Sequence, residues 1–274
     1  MIVPGHKTTF PLIFVILFIV LLNACTKDEE TEVLPVDDMP GWVKDADGNV
    51  YTTISIGSQV WMAENLRVTQ YNNGDPIPRG LGNDGWHTAP FGAYAVYPNN
   101  NIYGLNSDEK VVNAYGKLYN WHAVKDIRGL CPAGYHVPDQ WEWLQLIDYL
   151  MDTYNWTDDP DDTDGIGNKL RSCRQFLSPL GGDCDTDEHP FWMPHNLHFG
   201  TDAVGFNALP SGFRSPDGEF RGIRVSANWW TSSKHLDQKH WAICQTILLD
   251  SGAIESAPKL VMSGYSVRCV RSSE

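Results

Sequence analysis

The chain has 274 residues, 42% of them hydrophobic, 12% aromatic and 20% charged. That is enough apolar material for a packed core, and with the Trp, Tyr and Gly content it argues against a disordered chain. A formal net charge of −14, with no Lys- or Arg-rich run, excludes the basic face that nucleic acid requires.

The chain opens with Lys7 and an apolar run over residues 10–22, broken only by Pro11. At 13 residues the run is short of the ~20 a membrane-spanning helix needs, and it has the length of a signal-peptide core. Leu22-Asn23-Ala24-Cys25 resembles the lipobox of bacterial lipoproteins. The resemblance implies cleavage after residue 24 and acylation of Cys25, whose acyl chains would hold the protein on a membrane at ~0.8 kcal/mol per buried CH₂. Thr26-Lys27-Asp28-Glu29-Glu30 looks like the export signal of Bacteroidetes lipoproteins, which implies the outer face of the outer membrane. Residues 25–40, with six acidic residues and two prolines, read as the lipidated cysteine and a flexible tether of at most ~50 Å.

From residue 41 the pattern becomes that of a folded domain. Asp45-Ala46-Asp47-Gly48-Asn49 is a turn signal. The alternating run 50–56, the turn Gly57-Ser58 and the run 59–62 predict a hairpin. Residues 71–106, dense in Gly, Pro and Asn, predict loop with short strands. A short aromatic helix is expected over residues 115–124. A second helix starts after Pro138, with Asp139 as cap and Glu142 in capping-box position, and carries Trp143, Leu144, Leu146, Ile147, Leu150 and Met151 on one face. An acidic loop follows Asn155, then a segment around residues 169–176. From Gly205 onward short strands alternate with turns, and 265–270 reads as one closing strand. No internal repeat or second linker interrupts this, so one α+β domain over residues 41–271 is expected.

Six cysteines are present, and Cys25 is reserved for lipid. The leader directs the other five to an oxidising compartment, and five is odd, so at least one is free. Cys173 and Cys184 enclose a short loop that suits a local disulfide. Cys131 and Cys269 would close a loop of about 140 residues, worth ~4 to 5 kcal/mol in the chain-entropy model. Cys244, in the apolar run Trp241-Ala242-Ile243-Cys244, reads as a buried thiol.

Several blocks, in order, resemble the family of the Fibrobacter succinogenes major paralogous domain. They are Asp47-Gly48-Asn49-Val50-Tyr51, Gln59-Val60-Trp61-Met62-Ala63-Glu64-Asn65-Leu66, Tyr115-Gly116-Lys117-Leu118-Tyr119-Asn120-Trp121 and Cys131-Pro132-Ala133-Gly134-Tyr135-His136-Val137-Pro138. Glu142-Trp143, Phe206 to Arg214, Trp229-Trp230-Thr231-Ser232-Ser233 and Ser266-Val267-Arg268-Cys269-Val270-Arg271 continue the pattern. Tyr135 stands where the family often has Trp. The resemblance implies a C-type-lectin-like fold, with short twisted antiparallel sheets, two flanking helices, long display loops and pairing of the N- and C-terminal strands. It implies no established activity, and a fold alone supplies none.

The sugar-binding tripeptides of calcium-dependent lectins are not in the sequence, and Asn228-Trp229-Trp230 lacks their carboxylate. Asp158, Asp161, Asp162 and Asp164 offer oxygen ligands for Ca²⁺ in an acidic loop. That loop departs from the helix-loop-helix template, with Pro160 at the first ligand position and Arg171 in place of a bidentate Glu. Asp183, Asp185, Asp187, Glu188 and His189, with His195 and His198, form a looser set for a transition metal. Of the eleven tryptophans, Trp61, Trp121, Trp143, Trp229 and Trp230 lie in the family blocks and read as core. Trp86, Trp156 and Trp192 lie among polar neighbours and are the candidates for stacking on a ligand.

No nucleophile elbow, phosphate loop or His-Glu-x-x-His occurs, and no catalytic residue is assigned. The expectation is a non-enzymatic surface lipoprotein that binds or displays, with a glycan or a surface protein as ligand. Gly212-Phe213-Arg214 faintly echoes formylglycine-generating enzymes, so an enzyme on that scaffold is the alternative, with Cys131 and Cys269 as its thiols. A structural part of a surface assembly is the third.

Overall fold

A computed structural model describes Met1 and residues 41–272. The leader, the acylation site Cys25 and the acidic tether to residue 40 lie outside the described residues. The folded body is α+β, with three antiparallel sheets and five α-helices among the described residues, where the resemblance implied two flanking helices. None of these helices is long and apolar enough to cross a membrane.

The expected hairpin forms from β1 (Trp42–Lys44), β2 (Val50–Ile56) and β3 (Gln59–Met62). Its leading turn is closed by Asp45, whose carboxylate accepts the Asp47 and Asn49 N–H groups and the Tyr51 hydroxyl. β3 then pairs with the final strand β13 (Val270–Arg271), Trp61 opposite Val270, and β6 (Tyr135–His136) completes five strands. A second five-stranded sheet runs β4 (Tyr94–Ala95), β5 (Leu118–Asn120), β12 (Gly264–Tyr265), β7 (Ser211–Arg214), β8 (Phe220–Ile223). The third holds β11 (Glu255–Leu260), β10 (Trp241–Leu248) and β9 (Ser226–Lys234).

Three sequence expectations need correction. The single helix over 115–124 is three elements: α2 (Asp108–Tyr115), β5, and α3 (Trp121–Val124). Gly116 stops α2 at φ +79, where a Cβ would lie 2.6 Å from Asn65, and the Asn120 side chain caps α3 by accepting the Ala123 N–H. The closing strand over 265–270 is two short strands, β12 and β13, in different sheets. Ser266, Val267, Arg268 and Cys269 between them are all fully buried, so inward–outward alternation does not hold there. Residues 71–106 also contain a helix, α1 (Asn83–Thr88).

Cys131 pairs with Cys269, 138 residues on, and ties the entry of β6 to the last strand. Cys173 pairs with Cys184 across a short loop. Cys244 is the free cysteine among the described residues, and burial pushes its thiol up to about 12, so it carries no thiolate at neutral pH.

Two clusters form most of the core. One gathers Tyr51, Met62, Tyr119, Trp230, Cys244 and Val267 around the Cys131–Cys269 bridge. The other is aromatic: Trp61 and Trp143 lie 4.9 Å apart between ring centroids, Trp143 and Trp229 5.6 Å, and Phe206 touches all three. Arg268 is wholly buried against the Phe206 ring at 4.3 Å and donates to the carbonyls of Phe206 and Asn207. Burial lowers its pKa, but a guanidinium stays charged at physiological pH, so these carbonyls take the place of a carboxylate partner.

Candidate functional site

The longest helix among the described residues, α4 (Gln140–Tyr154), follows the sequence expectation closely at its start. Asp139 accepts the Glu142 N–H at 2.9 Å, and Glu142 Oε2 accepts the Asp139 N–H at 2.8 Å, a complete capping box. At its end Asn155 takes a left-handed conformation and its N–H returns to Met151 O. Trp143, Leu146, Ile147 and Leu150 are buried in the aromatic core. Leu144 and Met151, assigned from the sequence to the same face, lie outside the core: seven residues apart they share one side of the helix, where Leu144 is half-buried beside a groove and Met151 is 38% exposed.

The opposite face is aromatic as well. Trp141 is 74% exposed and Tyr149, two turns on, is exposed as well, while Tyr154, the last residue of the helix, is exposed past the end of the core. Gln145 and Asp148 lie between Trp141 and Tyr149 at the spacing that puts them on one face. Beside this face runs a groove of about 440 Å³, with the β2–β3 turn as its second wall. Ile56 and Leu144 supply apolar lining besides the rings, and Ser58, Gln59, Gln145 and Asp148 the polar lining.

The groove walls are fixed. Gly57 turns the hairpin at φ +60, and a Cβ there would lie 2.9 Å from the Tyr149 ring, so only glycine lets the turn sit against that tyrosine. Gln59 Nε2 donates to Glu142 O at 2.9 Å, and Gln145 Nε2 donates to Ser58 Oγ at 3.0 Å. These bonds bridge turn and helix across the groove. Tyr149 meets Tyr154 edge-on at 6.5 Å, and Tyr154 stacks on Trp156 at 4.6 Å, extending the aromatic track past the helix end.

Near the helix start, His136 Nε2 lies 2.7 Å from Glu142 Oε1, and its Nδ1 lies 3.0 Å from Ser272 Oγ. The hydrogen bond to Glu142 raises the His136 pKa. Burial alone would raise the Glu142 carboxyl, but the bonds from His136 and the Asp139 N–H outweigh it and hold it below its usual range. The Ser272 N–H goes to Gly134 O, so this line of side chains ties the C-terminal strand to the cap of α4. A larger hollow, about 780 Å³, lies elsewhere, bordered by Trp42, Lys44, Tyr135 and Arg271.

The ligand-stacking candidates read from the sequence fare differently. Trp86 and Trp192 are fully buried and present no face to a ligand. Arg214 lies over the Trp86 ring at 4.5 Å, from a distant part of the chain, and Arg171 lies over the Trp192 ring at 5.0 Å. Trp156 is half-buried, one face against Tyr154 and its ring under Lys169. Trp141 and Tyr149 were not singled out. Their signal was an aromatic residue on the polar stripe of an otherwise amphipathic helix.

The acidic residues are spread over turn-building contacts. Asp158 accepts the Ile254 N–H, Asp162 accepts the Thr157 hydroxyl and the Asp164 N–H, and Asp164 pairs with Lys169. Asp185 accepts the Ser178 N–H, His189 meets the Tyr115 hydroxyl, and His195 accepts the His198 N–H. Among the described residues no three His, Cys, Asp or Glu side chains converge on a metal position, so neither the Ca²⁺ set Asp158, Asp161, Asp162, Asp164 nor the histidine set is assembled.

Fold and site define a disulfide-closed α+β domain with an aromatic groove on its longest helix. The chain belongs to the Fibrobacter succinogenes major domain family, whose model matches residues 54–271. No curated protein and no solved structure matches it.

Proposed function

We propose that this chain is a cell-surface lipoprotein whose folded domain binds a ligand rather than transforming one. The observation that carries the binding reading is the outer face of α4, where Trp141 stands 74% exposed beside a groove. A single exposed ring needs no partner, but Trp141 and Tyr149 line the same groove, and clustered exposed rings mark a surface that a partner covers. The enzyme alternative needed Cys131 and Cys269 as thiols, and they are joined in a disulfide.

The apolar run over 10–22 and Leu22-Asn23-Ala24-Cys25 support acylation at Cys25, and Lys27-Asp28-Glu29-Glu30 supports the outer face of the outer membrane. The domain is read as C-type-lectin-like, a reading supported by the pairing of the N-terminal hairpin with the last strand through Trp61 and Val270. Labelled palmitate should enter the wild-type protein and not Cys25→Ser, and protease added to intact cells should remove the domain. Labelling that survives Cys25→Ser, or a domain protected in intact cells and digested only after lysis, would contradict the proposal. For binding, fluorescently labelled protein should decorate cells or glycans in a saturable way.

A further inference from the structure

Resting on the binding reading above, we propose that the groove between the β2–β3 turn and the outer face of α4 is a saccharide cleft, selective for uncharged or amino-bearing glycans over acidic ones. A sugar ring has an apolar face of C–H groups and an edge of hydroxyls. It therefore needs flat aromatic surface and hydrogen-bonding side chains within one ring's reach of each other. The groove supplies both. Trp141 and Tyr149 are eight residues apart, about 12 Å along the helix axis. Between them stand the Asp148 carboxylate and the Gln145 amide, which donates to the Ser58 hydroxyl of the hairpin turn and leaves that hydroxyl its own proton to donate.

The pattern separates a sugar from a protein helix as occupant. A docking helix lays its own apolar anchors, at i, i+3, i+4 and i+7, into a groove that is continuously apolar. On the outer face of α4 the aromatic rings alternate with Gln145, Asp148 and Asp152, so each stacking surface has a polar neighbour. Charge narrows the class further. α4 contains Glu142, Asp148 and Asp152 and no Lys or Arg, in a protein of net charge −14. Uronate, sulfate or phosphate groups would be repelled here, whereas hydroxyls and ammonium groups find acceptors. The Tyr149 ring is held against Gly57, so one of the two platforms is in place before a ligand arrives.

The test is a glycan array probed with the purified full chain in mild detergent, printed with neutral β-linked hexasaccharides, glucosamine oligomers and uronic-acid oligomers. The expected result is binding to the first or second class and none to the third. Trp141→Ala and Tyr149→Ala should each weaken it at least tenfold, and Trp141→Phe should recover part of the loss. Trp42→Ala, at the larger hollow, should bind as wild type. Equal binding by wild type and Trp141→Ala, or a preference for uronic-acid oligomers, would overturn this site while leaving a binding domain in place. No retention of any saccharide, with decoration of cells still lost in Trp141→Ala, would overturn the saccharide and point to a protein ligand. Loss of both for the wild type would remove the binding reading itself. A dimer in sedimentation that dissociates in Trp141→Ala would show a second copy to be the occupant and would also overturn the proposal.

Discussion

Trp141 and Trp143 are two residues apart on α4 and have opposite fates. Trp143 is fully buried, its ring packed on Trp61, Phe206 and Trp229, while Trp141 is 74% exposed at the edge of a groove. Two residues along a helix turn the side chain by about 200°, so one capping box orients both the core anchor and the exposed platform. Aromatic content by itself does not separate core from site. The side of the helix does, and the Asp139–Glu142 cap fixes that side.

Trp143→Ala should be the most damaging change, costing about 3–5 kcal/mol in denaturant unfolding because it opens a cavity among three other rings. A loss below about 1 kcal/mol would mean that the aromatic cluster is loosely packed. Asp139→Ala should cost about 1 kcal/mol by removing the cap, with the loss seen in unfolding and as earlier amide exchange in the first turn of α4.

The His136–Glu142 pair should add a smaller, pH-dependent part, under about 1 kcal/mol since both side chains are partly exposed. His136, raised in the folded state, contributes fully below its unfolded value near 6.5 and loses that contribution as pH rises through the raised value. Glu142, lowered in the folded state, contributes above about pH 4.3 and loses it as pH falls through the lowered value. The pair therefore helps most between about pH 4.3 and 6.5. His136→Gln should flatten the decline on the alkaline side, and an unchanged decline would assign it to other groups. Trp141→Ala should change stability least, within about 0.5 kcal/mol.

The hairpin over 50–62, the capping box of α4 and the buried Cys244 were legible because each is written in adjacent residues. Both disulfides pair as the sequence analysis paired them, Cys173–Cys184 on its short loop and Cys131–Cys269 by position, although Cys269 lies between two strands rather than within one. Trp86 and Trp192 misled because polar neighbours in sequence suggested exposure, while Trp86 is covered by Arg214 from 128 residues on and Trp192 joins the core cluster of Trp61 and Trp143. The split of 265–270 into two strands was hidden because its residues are buried on both sides. The site was harder still. One wall of the groove is Ile56, Ser58 and Gln59 of the hairpin, and nothing local says that its turn will pack against Tyr149 more than 90 residues later.

The central claim is that Trp141 serves a ligand and Trp143 serves the fold. Titration calorimetry of the best array saccharide against wild type and Trp141→Ala, with thermal melts of both, tests it directly. The account predicts superimposable melts and an affinity at least tenfold weaker for the variant. A variant that melts several degrees lower, or binds as tightly as wild type, would contradict it.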